Sequence, residues 1–349
     1  MKAAFFTFPA AFQDIGGGEI QLLKTKEALE KEGVSVRCFD IWKDRLEDFD
    51  LLHIFSSSKE CLGLAAVAKA RRVKVVVSPI LFTDFKRAFF EKARFLTKLD
   101  LLTRHFVKTV YPAFPSPRRS LLMTADLLCP NSEMERRYVH RHFAVPLSKM
   151  EVVFNGVSRD FLDADPAPFG KKYGKEPFVL SVGRIEPRKN QLGLIRAMKG
   201  IPGRRLVFIG SPVSGYEDYE ACCRKEGEGF AIFIPYLDHG DVLLKSAYAA
   251  CDLFVLQSFV ESTGLVVLEA ALAGAKTLVT QGGFTREYYK DYVDYLDPAS
   301  VKDIQAKILS NLKAPKNDTL KKHVLENFTW DKIAKRQAQL YRGLVGDHA

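Results

Sequence analysis

Apolar strand-like runs alternate with stretches of helical spacing along almost the whole chain, and this alternation restricts the fold more than any other feature. Ala3–Pro9 (AAFFTFP), VSVRCFD, DLLHIFS and RVKVVVSP, the last stopped by Pro79, are apolar and rich in β-branched or aromatic residues. Such runs mark strands covered on both faces. Between them, Glu19–Glu32, closed by Gly33, and Glu60–Arg71 carry apolar residues at helical spacing. LLMTADLLCPNS reads as a helix end and a strand, Glu133–His142 as a helix, and MEVVFNGV as a strand and turn. A second series starts at Phe178: the strands FVLSVGR, RRLVFIGS, FAIFIPY, DLFVLQS and AKTLVTQGG alternate with helices over Gln191–Met198, Leu243–Ala250 and Leu265–Ala273, and Ala334–Val345 is helical again. This pattern predicts parallel sheets with helices on both faces.

At 349 residues the chain exceeds one ordinary core and fits two domains. Asp163–Pro177, rich in Pro, Gly, Asp and Lys, is the expected linker, dividing residues 1–160 from 161–330. Two doubly wound halves place a ligand site in the cleft between them, at the carboxyl ends of the strands.

Composition narrows the setting. No apolar run reaches the roughly 20 residues of a membrane helix. The apolar start MKAAFFTFPAAF is followed by an acid, glycines and a helical pattern, so it reads as a first strand and not a signal peptide. The six cysteines form no C-x-x-C and none stands beside a histidine at ligand spacing. They are expected to be reduced core thiols of a cytoplasmic protein, with no zinc site. His140 and His142, two apart, face different ways on a helix.

Net charge is +10, from 52 Lys and Arg against 42 Asp and Glu, and such an excess attracts phosphates, nucleic acids or anionic membranes without distinguishing them. From Lys86 to Arg119 nine Lys or Arg face only Glu91 and Asp100, with Phe and Leu between. An amphipathic helix with a solvated basic face is the plainer expectation; a surface helix resting on anionic lipid is the sharper one.

Three groups of residues carry chemistry. Gly16, Gly17 and Gly18 open a helix after the first strand, where backbone can approach phosphate, though the spacing fits neither a dinucleotide fingerprint nor a phosphate loop. Gly183, Arg184 and Lys189 follow the strand FVLSV, so the two cations extend from a strand's carboxyl end; Arg forks onto phosphate oxygens and Lys acts as a point charge. Glu261 and Glu269 stand eight residues apart, roughly 12 Å if both ride one helix. Glu261 follows the strand and loop DLFVLQSFV and is expected to precede the helix; Ser262, Thr263 and Gly264 would form its first turn, offering unpaired N–H groups, with Leu265 next. A carboxylate accepts two hydroxyl hydrogen bonds, which suits the vicinal diol of a ribose or hexose. Two cations and two acids so ordered point to a nucleotide sugar.

These residues resemble the retaining glycosyltransferases of family 4, whose GT-B fold is α/β, with two Rossmann-like doubly wound domains facing a central cleft. The resemblance covers nearly the whole chain: E-x7-E at Glu261 and Glu269, R-x4-K at Arg184 and Lys189, G-G-x-E at Gly16, Gly17 and Glu19, and weaker matches at Asn155–Val157, Ile209-Gly210, GGFTRE with Glu287, and Phe328–Trp330 before a final helix. It implies transfer of a sugar from UDP- or GDP-sugar to a glycan or lipid-linked acceptor without a metal ion. Arg184 and Lys189 would hold the diphosphate, Glu269 the ribose hydroxyls, Glu261 would face the donor sugar, and Gly17 would lie against phosphates or sugar. The helix in 331–349 would cross back onto the N-terminal domain.

Two departures stand out. Where such enzymes often carry a histidine after the fourth strand, Ser78–Phe85 has none, leaving Thr83-Asp84 or backbone groups to position the sugar; His105 is too far along. Gln257 replaces the usual proline before the first glutamate's loop. A nucleotide-sugar epimerase of the same architecture is the alternative enzyme, and a basic nucleic-acid or anionic-surface module ranks below both because common RNA-binding signatures are missing.

Overall fold

The computed structural model describes residues 1–13, 15–81, 103 and 109–346. They form two units: one comprises residues up to Leu81, those up to Gly156 and those from Trp330 onward; the other runs from Val157 to Thr329.

In the first unit β1 (Lys2–Phe6), β2 (Ser35–Cys38), β3 (Leu51–Phe55), β4 (Lys74–Ser78) and β5 (Leu127–Leu128) form a parallel sheet in the order β2-β1-β3-β4-β5. The two-residue period of a strand explains why β3 is buried throughout: Leu52 and Ile54 join one core, Leu51 and Phe55 the other. Helices α1 (Gly17–Lys31), α2 (Leu62–Ala70), α3 (Pro117–Thr124) and α4 (Glu133–Phe143) cover it. Sequence sets their starts: the Ser132 hydroxyl accepts from Glu135 N (3.0 Å) before α4, and Ser116 from Arg119 N (3.2 Å) before α3, where Pro117 takes the first turn.

The second unit has β6 (Phe178–Val182), β7 (Arg205–Ile209), β8 (Ala231–Ile234), β9 (Leu253–Leu256), β10 (Thr277–Thr280) and β11 (Asp294–Leu296), all parallel, ordered β11-β10-β9-β6-β7-β8. Read from β8, this is the order 3-2-1-4-5-6, whose direction reverses between β6 and β9; ligands bind at the carboxyl ends there. Its helices are α5 (Ala167–Tyr173), α6 (Gln191–Met198), α7 (Glu217–Glu226), α8 (Val242–Ala250), α9 (Leu265–Leu272), α10 (Thr285–Tyr289), α11 (Val301–Lys313) and α12 (Thr319–Asn327). The last helix, α13 (Trp330–Val345), belongs to the first unit and packs on α1. There Tyr341 OH meets His53 Nδ1, and His53 Nε2 lies 3.0 Å from Ser78 Oγ, all buried.

Several expectations change. MEVVFNGV makes isolated bridges at Met150–Leu128 and Val157–Thr329 instead of a strand, because only scattered backbone groups, such as Glu151 N to Leu128 O, find partners. Asp163–Pro177, expected as linker, contains α5 and lies within the second unit. Phe169 is buried against Phe178, and its N–H donates to Ser246 Oγ (2.8 Å). Cys38 and Cys222 are exposed, so only four of the six thiols are core residues. Of the basic segment, residues 86–102 and 104–108 lie outside the described residues, as do Thr83, Asp84 and His105; Arg118 and Arg119 are half-buried and donate to the carbonyls of Ser57 (3.2 Å) and Phe143 (3.0 Å). Among the described residues no helix is long and apolar enough to cross a membrane.

Candidate functional site

The carboxyl ends of β6 and β9 carry the motif residues. After β6 the chain passes Gly183 and Arg184 into a single turn, Pro187–Lys189, and Asn190 then adopts a left-handed conformation (φ 56°) before α6. Asparagine tolerates this better than other side chains, and its Nδ2 is fixed by Pro298 O at 2.8 Å. Phe259 N donates to Arg188 O (2.9 Å), joining the loop after β6 to the loop after β9. Gln257 reinforces this link: its Oε1 accepts from Ser181 Oγ (3.0 Å) and its Nε2 donates to Lys189 O (2.8 Å). The residue standing where a proline was expected is therefore a clamp on the cationic turn.

That turn directs Lys189 at Glu261, with Nζ 2.5 Å from Oε1. Arg188 reaches the same oxygen at 3.7 Å, while bonding Val260 O (3.0 Å) and Glu186 Oε1 (2.8 Å). Arg184 stands 3.5 Å from Glu186 and is the most open of the cations, its side chain 37% exposed. Glu261 is 6% exposed. Burial alone raises a carboxyl's pKa, but the charges of Lys189 and Arg188 outweigh it and hold Glu261 below its ordinary value. Burial also brings Lys189 below the usual lysine value, against the upward pull of Glu261. The Glu261 backbone is gripped as well: its N–H donates to Gly282 O (3.2 Å) and its carbonyl accepts from Phe284 N (3.0 Å). Gly283 crosses so closely (φ 96°) that a β-carbon there would lie 1.8 Å from Glu261 O.

Glu269 sits on α9 with 5% exposure. Its Oε1 is 2.6 Å from His239 Nδ1, and its Oε2 accepts from Tyr248 OH at 2.8 Å. Glu269 is helical and Glu261, as expected from its place after the strand and loop, precedes the helix, so the two carboxylates do not ride one helix. Ser262, Thr263 and Gly264 do not form its first turn. Gly264 is the N-cap, in a left-handed conformation (φ 70°) that a side chain disfavours, and α9 starts at Leu265. Tyr289 OH donates toward the carbonyls of Thr263 and Gly264, both 2.9 Å away, bracing this bend. Burial raises the Tyr289 pKa well above its ordinary value, and the charges of Glu261 and Glu269 both add to the rise, so both carboxylates act on one hydroxyl.

Lys189 and Arg188 thus both reach Glu261, Arg184 is linked to Arg188 through Glu186, and Gly183 lies against the Lys189 side chain. Gly16, Gly17 and Gly18 begin α1 in the other unit, with the Gly16 N–H already bonded to Glu19 Oε2 (2.8 Å). Arg188, Gln257, His239 and Tyr248 were missed as site residues. Arg188 lies within the same charged run as Arg184 and Lys189, and His239, in the loop after β8, has only its place beyond a strand's carboxyl end as a signal. Among the described residues no group of three or more His, Cys, Asp or Glu could hold a metal ion.

Residues 167–325 match the family described as glycosyl transferases group 1. The chain is 30% identical over 203 residues to O-antigen chain mannosyltransferase B of Escherichia coli, covering 55% of this chain and 53% of that protein. It is 27% identical over 241 residues to a D-inositol 3-phosphate glycosyltransferase of Mycobacteroides abscessus, covering 64% and 53%. The chain spans about half the length of the curated relatives it matches. Among solved structures it resembles HepE of Anabaena, crystallised with UDP and glucose (TM-score 0.74, 17% identity, 99% of this chain and 100% of that one). Sucrose-phosphate synthase of Thermosynechococcus elongatus gives a TM-score of 0.75 at 20% identity over 98% of both chains. At these identities the likeness establishes the fold, two parallel-sheet α/β units of the GT-B class.

Proposed function

We propose, from the match of residues 167–325 to the family described as glycosyl transferases group 1, that the protein is a retaining, family 4 glycosyltransferase that moves a sugar from a nucleoside diphosphate to a glycan or lipid-linked acceptor. The observation that carries the proposal is the cationic turn at the reversal point of the second sheet, where Lys189 and Arg188 meet Glu261 and Arg184 stays partly open. In transfer, the bond from the sugar's anomeric carbon to the diphosphate oxygen breaks and a bond to the acceptor hydroxyl oxygen forms on the same face. The acceptor's proton passes to the departing phosphate. Negative charge grows on that phosphate, and fixed cations lower the barrier most where charge develops. Arg184 forks onto phosphate oxygens, and Lys189, with one N–H held by Glu261, directs its remaining donors there. These cations supply the neutralisation a metal ion would otherwise provide, so the reaction proceeds without one. Glu261 faces the sugar, and Glu269 accepts the ribose hydroxyls.

UDP or GDP is the expected carrier; the neighbour HepE binds UDP. The free thiols support a cytoplasmic setting, and peripheral contact with anionic lipid through Lys86–Arg119 suits a lipid-linked acceptor. A thermal-shift screen with UDP-, GDP- and ADP-sugars tests the reading, since a ligand that binds only the folded state raises its melting temperature. One carrier is expected to stabilise the protein selectively, and the sugar moiety to stay unaltered when no acceptor is present. Stabilisation by none of them refutes the proposal, and conversion of the sugar without acceptor identifies an epimerase instead.

A further inference from the structure

We infer that His239 is a positioning residue that makes the donor site selective for a ribonucleotide, by fixing Glu269 as a rigid double acceptor for the ribose 2′ and 3′ hydroxyls. The inference rests on the glycosyltransferase reading, but it concerns a residue outside the E-x7-E and R-x4-K motifs.

The geometry points to a built device. Glu269 projects from α9 among apolar neighbours, where a buried carboxylate is costly unless hydrogen-bonded. Both of its oxygens are engaged by the chain segment around α8. Tyr248, fully buried on α8, donates to Oε2 at 2.8 Å, and His239, in the loop leading into α8, lies 2.6 Å from Oε1. A carboxylate only accepts, so His239 Nδ1 carries the proton in this contact. The loop is itself anchored, because Asp241 caps α8 through a 2.7 Å bond from Leu243 N. Turning the carboxylate about its bond would break both contacts, so its plane is set.

Each carboxylate oxygen has room for two hydrogen bonds. With one used at each, one acceptor position remains on Oε1 and one on Oε2. A vicinal diol offers two donors with matching separation. The side chain of Tyr248 closes the inner end, while that of His239 is 19% exposed and marks the outer one. Without His239, Oε1 is free to swing, and the pair of acceptors loses its common orientation.

Calorimetric titration tests this with the nucleoside diphosphate that stabilises the protein most and with its 2′,3′-dideoxy counterpart, each against the full chain as wild type, His239→Ala and His239→Asn. A site built to bond hydroxyls rejects an analogue lacking them strongly, so the wild type is expected to favour the ribonucleotide by about 100-fold or more. The ratio is expected to fall below about tenfold in His239→Ala and to recover in His239→Asn, whose amide N–H replaces the ring donor. The ratio is the readout, because a loop that is merely loosened weakens both nucleotides alike. A wild-type ratio retained in His239→Ala, an Asn variant no better than Ala, or a wild type that binds both nucleotides equally overturns the inference while leaving the glycosyltransferase reading in place. Failure of every nucleoside diphosphate to bind the wild type overturns that reading itself.

Discussion

Lys189→Ala separates a buried ion pair from a superficial one. If Lys189 were merely the cation of a solvated loop, it could be removed with little cost to the fold. Its 2.5 Å contact with Glu261, a residue 6% exposed, changes the expectation. Removing one partner of a buried pair costs about 3–5 kcal/mol, because the remaining charge stays desolvated. Arg188, 3.7 Å from the same oxygen, retains part of the compensation, which places the variant near the lower end, about 3 kcal/mol. For a unit of this size that corresponds to a fall in melting temperature of roughly 10 °C. The effect also has a pH signature. The folded-state pKa of Glu261 lies below its unfolded value, so its contribution is present above the unfolded value and is lost as pH falls through the folded one. In the variant, burial is opposed by Arg188 alone and the carboxyl pKa moves up, so the gap to wild type narrows on acidification. Both tryptophans, Trp42 and Trp330, belong to the first unit. Hydrogen exchange in graded urea, followed on peptides 178–189 and 253–262, is therefore the assay. A double variant Lys189→Ala/Glu261→Gln is expected to be less destabilised than the sum of the single changes by about 2 kcal/mol. A single variant within about 0.5 kcal/mol of wild type at pH 7.5, the range of ordinary surface changes, refutes the buried-pair account.

Two further outcomes follow from the geometry. Gly283→Ala is expected to destabilise the second unit by about 3 kcal/mol or more, since its β-carbon would fall 1.8 Å from Glu261 O at a φ of 96°; urea unfolding followed by circular dichroism checks it, and a wild-type midpoint would contradict the close crossing. Burial holds the His53 pKa at about 3 against 6.5 in the unfolded chain. Below pH 6.5 the unfolded state takes up a proton that the folded state refuses, so stability of the first unit declines as pH drops toward 3, with a slope from this residue approaching about 1.4 kcal/mol per pH unit. Tryptophan fluorescence unfolding across that range reads the slope, and His53→Gln is expected to flatten it.

The strands were legible because strands buried on both faces leave continuous apolar runs, as in LLHIF and KVVVS. The same logic failed at MEVVFNGV, where an apolar run pairs with almost nothing, and at Asp163–Pro177, where one buried aromatic, Phe169, is enough to dock a short helix that periodicity does not reveal. In the site, the motif residues were visible because charge at a strand's carboxyl end is conspicuous. Their supports were not. Gln257 acts through its amide on two neighbouring segments, Arg188 differs from a solvated cation only in what it touches, and His239 meets Glu269 across thirty positions of sequence. The bend at Gly264, which ends the run from Glu261 before α9 starts, depends on a left-handed backbone that no apolar period encodes.

The most direct test of the donor site is calorimetric titration of UDP and GDP into the protein in the presence of EDTA, repeated with Arg184→Ala, whose side chain is 37% exposed and whose loss is expected to leave stability within about 0.5 kcal/mol of wild type. The account predicts one-to-one binding of one of these nucleotides without metal, weakened roughly tenfold to a hundredfold in the variant as a charge-assisted phosphate contact is lost. Binding that requires a divalent cation, or that is unchanged by loss of Arg184, contradicts it.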